Sequence, residues 1–193
     1  MTNESMTQPF ETTPSGRLLV RRPSPEDIDA VFRVHADPRT NAHNPQGPLA
    51  DRGAAAALLD GWLGHWREHG FGYWTVHLAA ADAARGPGKI VGFAGVRHDI
   101  WHGQPVLNLA YRLAPEHWGN GYASELARFA LSSARRTHPE LLVLARTRPD
   151  NVASRRTALA AGMVRRTDLE VDDGTGSVVV LASRPAGSQA PET

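Results

Sequence analysis

Between Leu107 and Leu126 the chain reads LNLAYRLAPEHWGNGYASEL, an apolar strand that stops at Pro115 and a helix opened by Gly119 and Gly121. This junction constrains the fold more than any other segment. Glycines at those positions let the backbone turn tightly and approach a ligand with no Cβ in the way, and the first N–H groups of the helix are free to point at an anion. A dinucleotide-binding turn places a third Gly or Ala three residues after the second glycine, with an acidic residue about twenty residues on. Ser124 holds the first position, and the later region offers only Glu140 after a proline. The junction therefore predicts a phosphate cradle of another kind.

The rest of the chain reads as strands and helices around this junction. Arg17 to Arg22 predicts a strand, and Ser24-Pro25-Glu26-Asp27 predicts a capped helix start running to about Ala36. Asp37 to Ala50 is punctuated by three prolines and a glycine and predicts a loop of the length that covers sites. A helix over Asp51 to His69 follows, then strands over Gly72 to Ala79 and Ile90 to His98, with a Gly/Pro loop between them at Arg85 to Gly88 and a turn after them at Asp99 to Gln104. Val106 to Leu113 alternates, with Leu107, Leu109, Tyr111 and Leu113 on one face and Asn108, Ala110 and Arg112 on the other. Helix Gly121 to Arg136 carries a core stripe of Leu126, Ala130 and Ala134. The buried run Leu141 to Ala145 predicts a strand parallel to its predecessor, completing a β-α-β-α unit with the helix after Asn151. Met163 to Val171 and Ser177 to Ser183 predict a closing hairpin.

The junction resembles the acyl-CoA signature of the GNAT superfamily of N-acetyltransferases, a Gln or Arg, two residues, Gly, one residue, then Gly or Ala. Here it reads Trp118-Gly119-Asn120-Gly121-Tyr122-Ala123. Trp118 departs from the usual Gln or Arg, as in the branch that acetylates the N-termini of ribosomal proteins, whose pattern is close to Trp-Gly-x-Gly-Tyr-Ala-x-Glu. Glu125 completes that pattern, and Asn151-Val-Ala-Ser154 matches the Asn-x-x-Ser of the same branch. Each residue also has a purely structural reading, Asn151 as a helix cap and Gly162 as a left-handed stop.

The resemblance implies an α/β fold (α+β, three-layer): a GNAT-type mixed, mostly antiparallel sheet with a central splayed parallel strand pair flanked by helices. It implies a leader over 1–16, an acetyltransferase domain over 17–184 and a tail over 185–193. It implies acetyl-CoA as co-substrate, bound by Tyr111, Arg112, Leu113, Trp118, Gly119, Asn120, Gly121, Tyr122, Ala123, Ser124, Asn151, Ser154 and Arg156. The acyl oxygen is then held by a backbone N–H near Leu113, and Ser154 serves the departing thiolate. The acceptor is an amine, on a protein or a small molecule, in a pocket lined by the Asp37 to Ala50 loop, Trp62, Trp66, Tyr73, Trp74 and Trp101. The branch places a Glu in the strand where this chain has Asn108, so Asn108-Leu109-Ala110-Tyr111 lacks the usual base. Water relayed to Glu116, Glu68, His98 or Asp99 is the alternative, and the departure also leaves open an acyl-CoA-binding regulator or transfer of another acyl group such as succinyl.

Composition excludes other chemistries. The chain has no cysteine, so disulfides, thiolate nucleophiles and Cys-based zinc sites are out. Its 21 basic and 20 acidic residues balance to +1 without a basic run, which argues against nucleic acid. The N-terminal residues MTNESMTQPFETTPSG lack a basic start and an apolar stretch, so they read as no secretory signal, and no segment reaches membrane length. A cytoplasmic protein without membrane contact, monomeric or homodimeric, is expected. His65 and His69 have i, i+4 spacing, but beside Trp62 and Trp66 they read as packing residues, and no metal is expected.

Overall fold

A computed structural model describes residues 9–79 and 88–183. The strands are β1 (Glu11–Thr12), β2 (Leu18–Arg21), β3 (Tyr73–Leu78), β4 (Ile90–Trp101), β5 (Gln104–Leu113), β6 (Val143–Thr147), β7 (Val164–Arg165), β8 (Val171–Asp172) and β9 (Ser177–Ala182). The helices are α1 (Ile28–His35), α2 (Arg52–His69), α3 (Tyr122–Thr137) and α4 (Val152–Ala160). The strands run in the order β1-β2-β3-β4-β5-β6-β9-β7, with β8 also on β9. Every pairing is antiparallel except that of β5 with β6. The mixed sheet with one central parallel pair is the architecture expected.

Two apolar layers hold the helices to the sheet. Leu126, Ala127, Ala130 and Ala134 of α3 pack with Leu107, Leu109 and Leu113 of β5 on one face. Val31 and Val34 of α1 and Leu59 and Trp62 of α2 pack with Phe93 and Ala114 on the other. The alternation of β5 therefore sends its leucines to α3 and leaves Asn108 and Arg112 toward the α1–α2 side.

Several boundaries differ from expectation. β4 and β5 run further, joined by a two-residue turn with both His102 (φ 51°) and Gly103 (φ 74°) left-handed, the hairpin geometry that twisted strands favour. The loop expected over Asp99 to Gln104 is therefore mostly strand. The expected strand over Met163 to Val171 is broken by a 3₁₀ turn at Thr167–Leu169, where Arg166 and Asp168 pair through their own side chains. The stretch grouped with the leader is anchored in part, because Glu11–Thr12 pairs with β2, and Thr13 and Ser15 both donate to Glu125. The Gly/Pro loop at Arg85 to Gly88, save Gly88, and the tail over 185–193 lie outside the described residues. Among the described residues no helix is long and apolar enough to cross a membrane.

Candidate functional site

The parallel ladder between β5 and β6 has two register pairs, Leu107 with Val143 and Asn108 with Leu144. Beyond them β6 follows β9 as far as Thr147, while β5 stays on β4 to Leu113, so the two strands part. Peptide groups along a strand face its two edges in turn. The N–H of Leu107 donates to Leu142 O on the β6 side and that of Ala114 to Val91 O on the β4 side. The N–H groups of Tyr111 and Leu113 thus face the gap past the end of the ladder. The Leu113 carbonyl is taken, accepting from Trp118 Nε1 at 2.8 Å. β4 approaches closely here because residue 92 is glycine: a Cβ on it would stand 2.2 Å from Arg112 O.

The chain leaves β5 through a 3₁₀ turn at Pro115–His117 and enters α3 with Gly119 and Gly121 both left-handed, at φ 78° and 76°. The first hydrogen bond of α3 runs from Glu125 N–H to Gly121 O, which leaves the N–H groups of Tyr122, Ala123 and Ser124 without a partner among the described residues at the helix end. Glu125 supports this turn from below. It accepts from Thr13, Ser15 and Arg17, and Arg17 in turn donates to Asn120 O at 3.0 Å and lies over the Tyr122 ring.

On α4, Asn151 Oδ1 accepts from Ser154 N–H at 3.0 Å, so its side chain caps the helix. Tyr111 Oη donates to Ser154 O at 2.8 Å and stands 3.2 Å from Ser154 Oγ. With the phenol proton committed to the carbonyl, the Ser154 hydroxyl is the donor of the second contact. Burial pushes the Tyr111 phenol up to about 12, so it stays protonated.

These pieces line a cleft of about 560 Å³. It brings together Tyr111, Arg112, Leu113, Trp118, Gly119, Gly121, Tyr122, Ala123, Ser124, Asn151 and Ser154 of the expected donor-site residues. Asn120 and Arg156 stand outside its lining; Arg156 is exposed, and Asn120 turns its carboxamide onto His117 O and Trp118 O. Ala153 and Thr157 line it too; Thr157 lies three residues after Ser154, a helical spacing that could have flagged it, and Ala153 lies one turn before Thr157.

A second cleft, about 440 Å³, opens on the α1–α2 side and shares Thr40, His43, Tyr111, Arg112, Asn151 and Ser154 with the first. Trp62, Tyr73, Trp101 and Asn108 line it, together with His43, Asn44 and Pro45 of the loop expected to cover the acceptor. Trp66 and Trp74 do not; Trp74 is core, packed on Phe129, and Trp66 donates to Tyr73 O. Asn108 donates to Tyr73 Oη at 2.7 Å and accepts from Arg146 Nη2 at 3.1 Å, while Arg146 also pairs with Asp99. Neither Glu68, Glu116, His98 nor Asp99 lines this cleft. Arg112 Nη1 donates to Asn41 Oδ1 at 2.7 Å and lies 3.3 Å from His35 Nδ1. Burial, then the Arg112 cation, press the His35 pKa down to about 3, so its ring is neutral.

The His65 and His69 pair packs with Phe71 and His98, His65 accepting from the His98 N–H. Among the described residues no group of His, Asp or Glu is arranged to hold a metal.

Residues 17–164 match the family described as acetyltransferase (GNAT) domain. The uncharacterized protein YkkB of Bacillus subtilis (strain 168) is 32% identical over 102 residues, 53% of this chain and 58% of that protein. The chain thus spans little more than half the length of that relative. In fold it is similar to the spermidine N-acetyltransferase of Vibrio cholerae, solved with CoA and spermine (TM-score 0.65, 14% identity, 86% of this chain and 94% of that one). It is similar likewise to the ribosomal-protein-S5-alanine acetyltransferase of Vibrio fischeri (TM-score 0.64, 16% identity, 90% and 96%).

Proposed function

The chain belongs to the GNAT acetyltransferase family, and on that footing we propose that it transfers an acetyl group from acetyl-CoA to a primary amine, an α-amine in preference to a lysine side chain. The observation that carries this reading is the pair of unpaired N–H groups, Tyr111 and Leu113, facing the β5–β6 gap beside the glycine cradle. The cradle fits a pyrophosphate. Two left-handed glycines precede three helix N–H groups without a partner among the described residues, and among those residues no acidic side chain lines the first cleft. The gap fits an extended amide-bearing arm, which would pair with Tyr111 as an added strand does.

The second cleft delivers the amine to the same point. Its nitrogen lone pair attacks the thioester carbon, a C–N bond forms, and the C–S bond breaks with the electron pair leaving on sulfur. The Leu113 N–H is the donor for the carbonyl oxygen, fixed in place before the reaction begins. The Ser154 hydroxyl donates to the departing sulfur by turning its proton away from Tyr111 Oη, and the amine gives up its proton to solvent.

The test is titration of the purified protein with acetyl-CoA and, separately, with NAD, followed by thiol release against a panel of peptides and amines. Acetyl-CoA binding with thiol release on an α-amine supports the reading. Binding without release on any amine replaces it with an acyl-CoA-binding regulator, and failure to bind acetyl-CoA removes the cradle assignment altogether.

A further inference from the structure

Among the described residues four arginines line the two clefts, and three of them are paired: Arg39 with Asp37, Arg146 with Asp99 and Arg148 with Asp173. Arg112 is the fourth. Among the described residues no carboxylate lies within ion-pair distance of it; its partners are the neutral Asn41 carboxamide and the His35 ring. Both contacts fall on Nη1, so Nε and Nη2 have no partner among the described residues. Asn41 is itself fixed, since its Nδ2 donates to His35 O and Asp37 O, which turns Oδ1 to the guanidinium. Arg112 also stands where the clefts meet, since it lines both.

Arg112 is half-buried, and a guanidinium partly withdrawn from water with no counter-charge is disfavoured, which makes it a candidate for a ligand that supplies the missing charge. A fork of Nε and Nη2 matches a carboxylate, two parallel N–H donors to two oxygens. Among the described residues the only carboxylate lining either cleft, Asp173, is held by Arg148, so a polycationic amine would find cations and no free anion among them.

We infer that Arg112 anchors a carboxylate carried by one of the two substrates close to the reacting carbon. This rests on the acyl-transfer reading above and adds a substrate class to it. The carboxylate has two sources, the acyl chain of a dicarboxylic thioester such as succinyl-CoA, or the acceptor, as in an amino acid or short peptide.

The experiment has a donor arm and an acceptor arm, each run on the wild type, Arg112→Gln and Arg112→Lys. Calorimetry compares succinyl-CoA with acetyl-CoA, and, in the presence of CoA, Ala-Ala with Ala-Ala-amide. In one arm the wild type should favour the carboxylate-bearing compound roughly 10- to 100-fold, the range of a charge-assisted pair. Arg112→Gln should abolish that preference and Arg112→Lys retain part of it. A preference in the donor arm assigns the carboxylate to the acyl chain, and one in the acceptor arm assigns it to the amine. No preference in either arm, or a preference that survives in Arg112→Gln, overturns the inference. Because the readout is binding, absence of turnover on every amine would sink the transfer reading alone and still leave Arg112 decided. Arg112→Lys keeps the comparison interpretable if the loss of the Asn41 contact unfolds the Gln variant.

Discussion

Glu125 is the residue through which the cradle depends on the chain's N-terminal region, and replacing it tests that dependence. Its carboxylate is nearly buried, at 7% exposure, and accepts from Thr13 Oγ1 at 2.5 Å, from Ser15 Oγ, and from Arg17 Nε and Nη2 at 3.1 and 2.5 Å. A hydrogen bond to a charged group contributes about 1.5–3 kcal/mol. Thr13 keeps Leu18 O as a second acceptor, so its loss falls at the low end. The Arg17 side chain is 48% exposed, which limits that pair to about 1 kcal/mol. Ser15 is exposed and regains water when the carboxylate goes, so Glu125→Ala should cost about 2–4 kcal/mol in all, and in a domain of this size each 1 kcal/mol lowers Tm by about 2–4 °C. Thermal unfolding should show a fall of about 5–15 °C, with weaker acetyl-CoA binding because Arg17 also holds Asn120 O. The pH dependence adds a second check with a fixed sign. Burial works against the charge, but Ser15, Thr13 and Arg17 outweigh it and hold the carboxyl below its usual 4.5. The stabilisation is complete above that value and is lost as pH falls below it through the folded-state pKa. The Tm gap between wild type and Glu125→Gln should be constant from neutral pH to about 5 and close below it. A Glu125→Ala protein melting within about 2 °C of wild type, or a gap to Glu125→Gln that widens as pH falls below 4.5, would refute the reasoning.

Gly121→Ala places a Cβ on a left-handed residue at a cost of about 1–2 kcal/mol, and since that Cβ meets nothing nearer than Arg17 Nη2 at 4.0 Å, chemical denaturation should show a destabilised but folded protein. Ser154→Ala should lower kcat by about 10- to 100-fold if its hydrogen bond stabilises the departing thiolate, while calorimetry shows acetyl-CoA affinity little changed; an equal loss in both would make Ser154 a binding residue. His35 is neutral in the fold with a pKa of about 3 against 6.5 in the unfolded chain, so stability falls as pH drops from 6.5 toward 3. Imidazole nitrogen shifts by NMR should show His35 uncharged down to about pH 4, and His35→Gln should flatten the acid limb of the stability curve.

The elements around the cradle were legible because their signals are local. Glycine spacing, the alternation of β5 and the Asn151 cap each lie within a few residues of what they control. The parallel placement of β6 followed from its apolar run, though the strand lies two residues later, at Val143–Thr147, because β9 pairs with Arg146 and Thr147 as well. The features missed depend on distant partners. Thr13 and Ser15 meet Glu125 across more than a hundred residues, and nothing near them in sequence marks that contact. The turn expected over Asp99 to Gln104 narrows to His102-Gly103, a position the sequence did not mark because no Asn or Asp precedes the glycine. Alternation separated Arg112 from the leucines of β5, yet only the fold shows which acids it fails to meet.

The absence of a carboxylate at position 108 changes which amine can react. Asn108 is committed on both sides, donating to Tyr73 and accepting from Arg146, and a carboxamide takes up no proton. Asp99, the nearest acid in that network, is paired with Arg146. The surplus charge of Arg112 in the same cleft disfavours an ammonium there, so the amine is selected in its neutral form. At pH 7 an α-amine of pKa near 7.7–8.0 is roughly 10% neutral and a lysine of pKa near 10.4 roughly 0.04%, a difference of about 300-fold before any other discrimination. With saturating acetyl-CoA, kcat/KM for a peptide α-amine should rise about tenfold per pH unit and level off near pH 8, where the amine itself titrates. For a lysine side chain the rise should continue past pH 9. A plateau below pH 7 for both would mean that a group on the protein accepts the proton, and the electrostatic account of amine selection would fall with it.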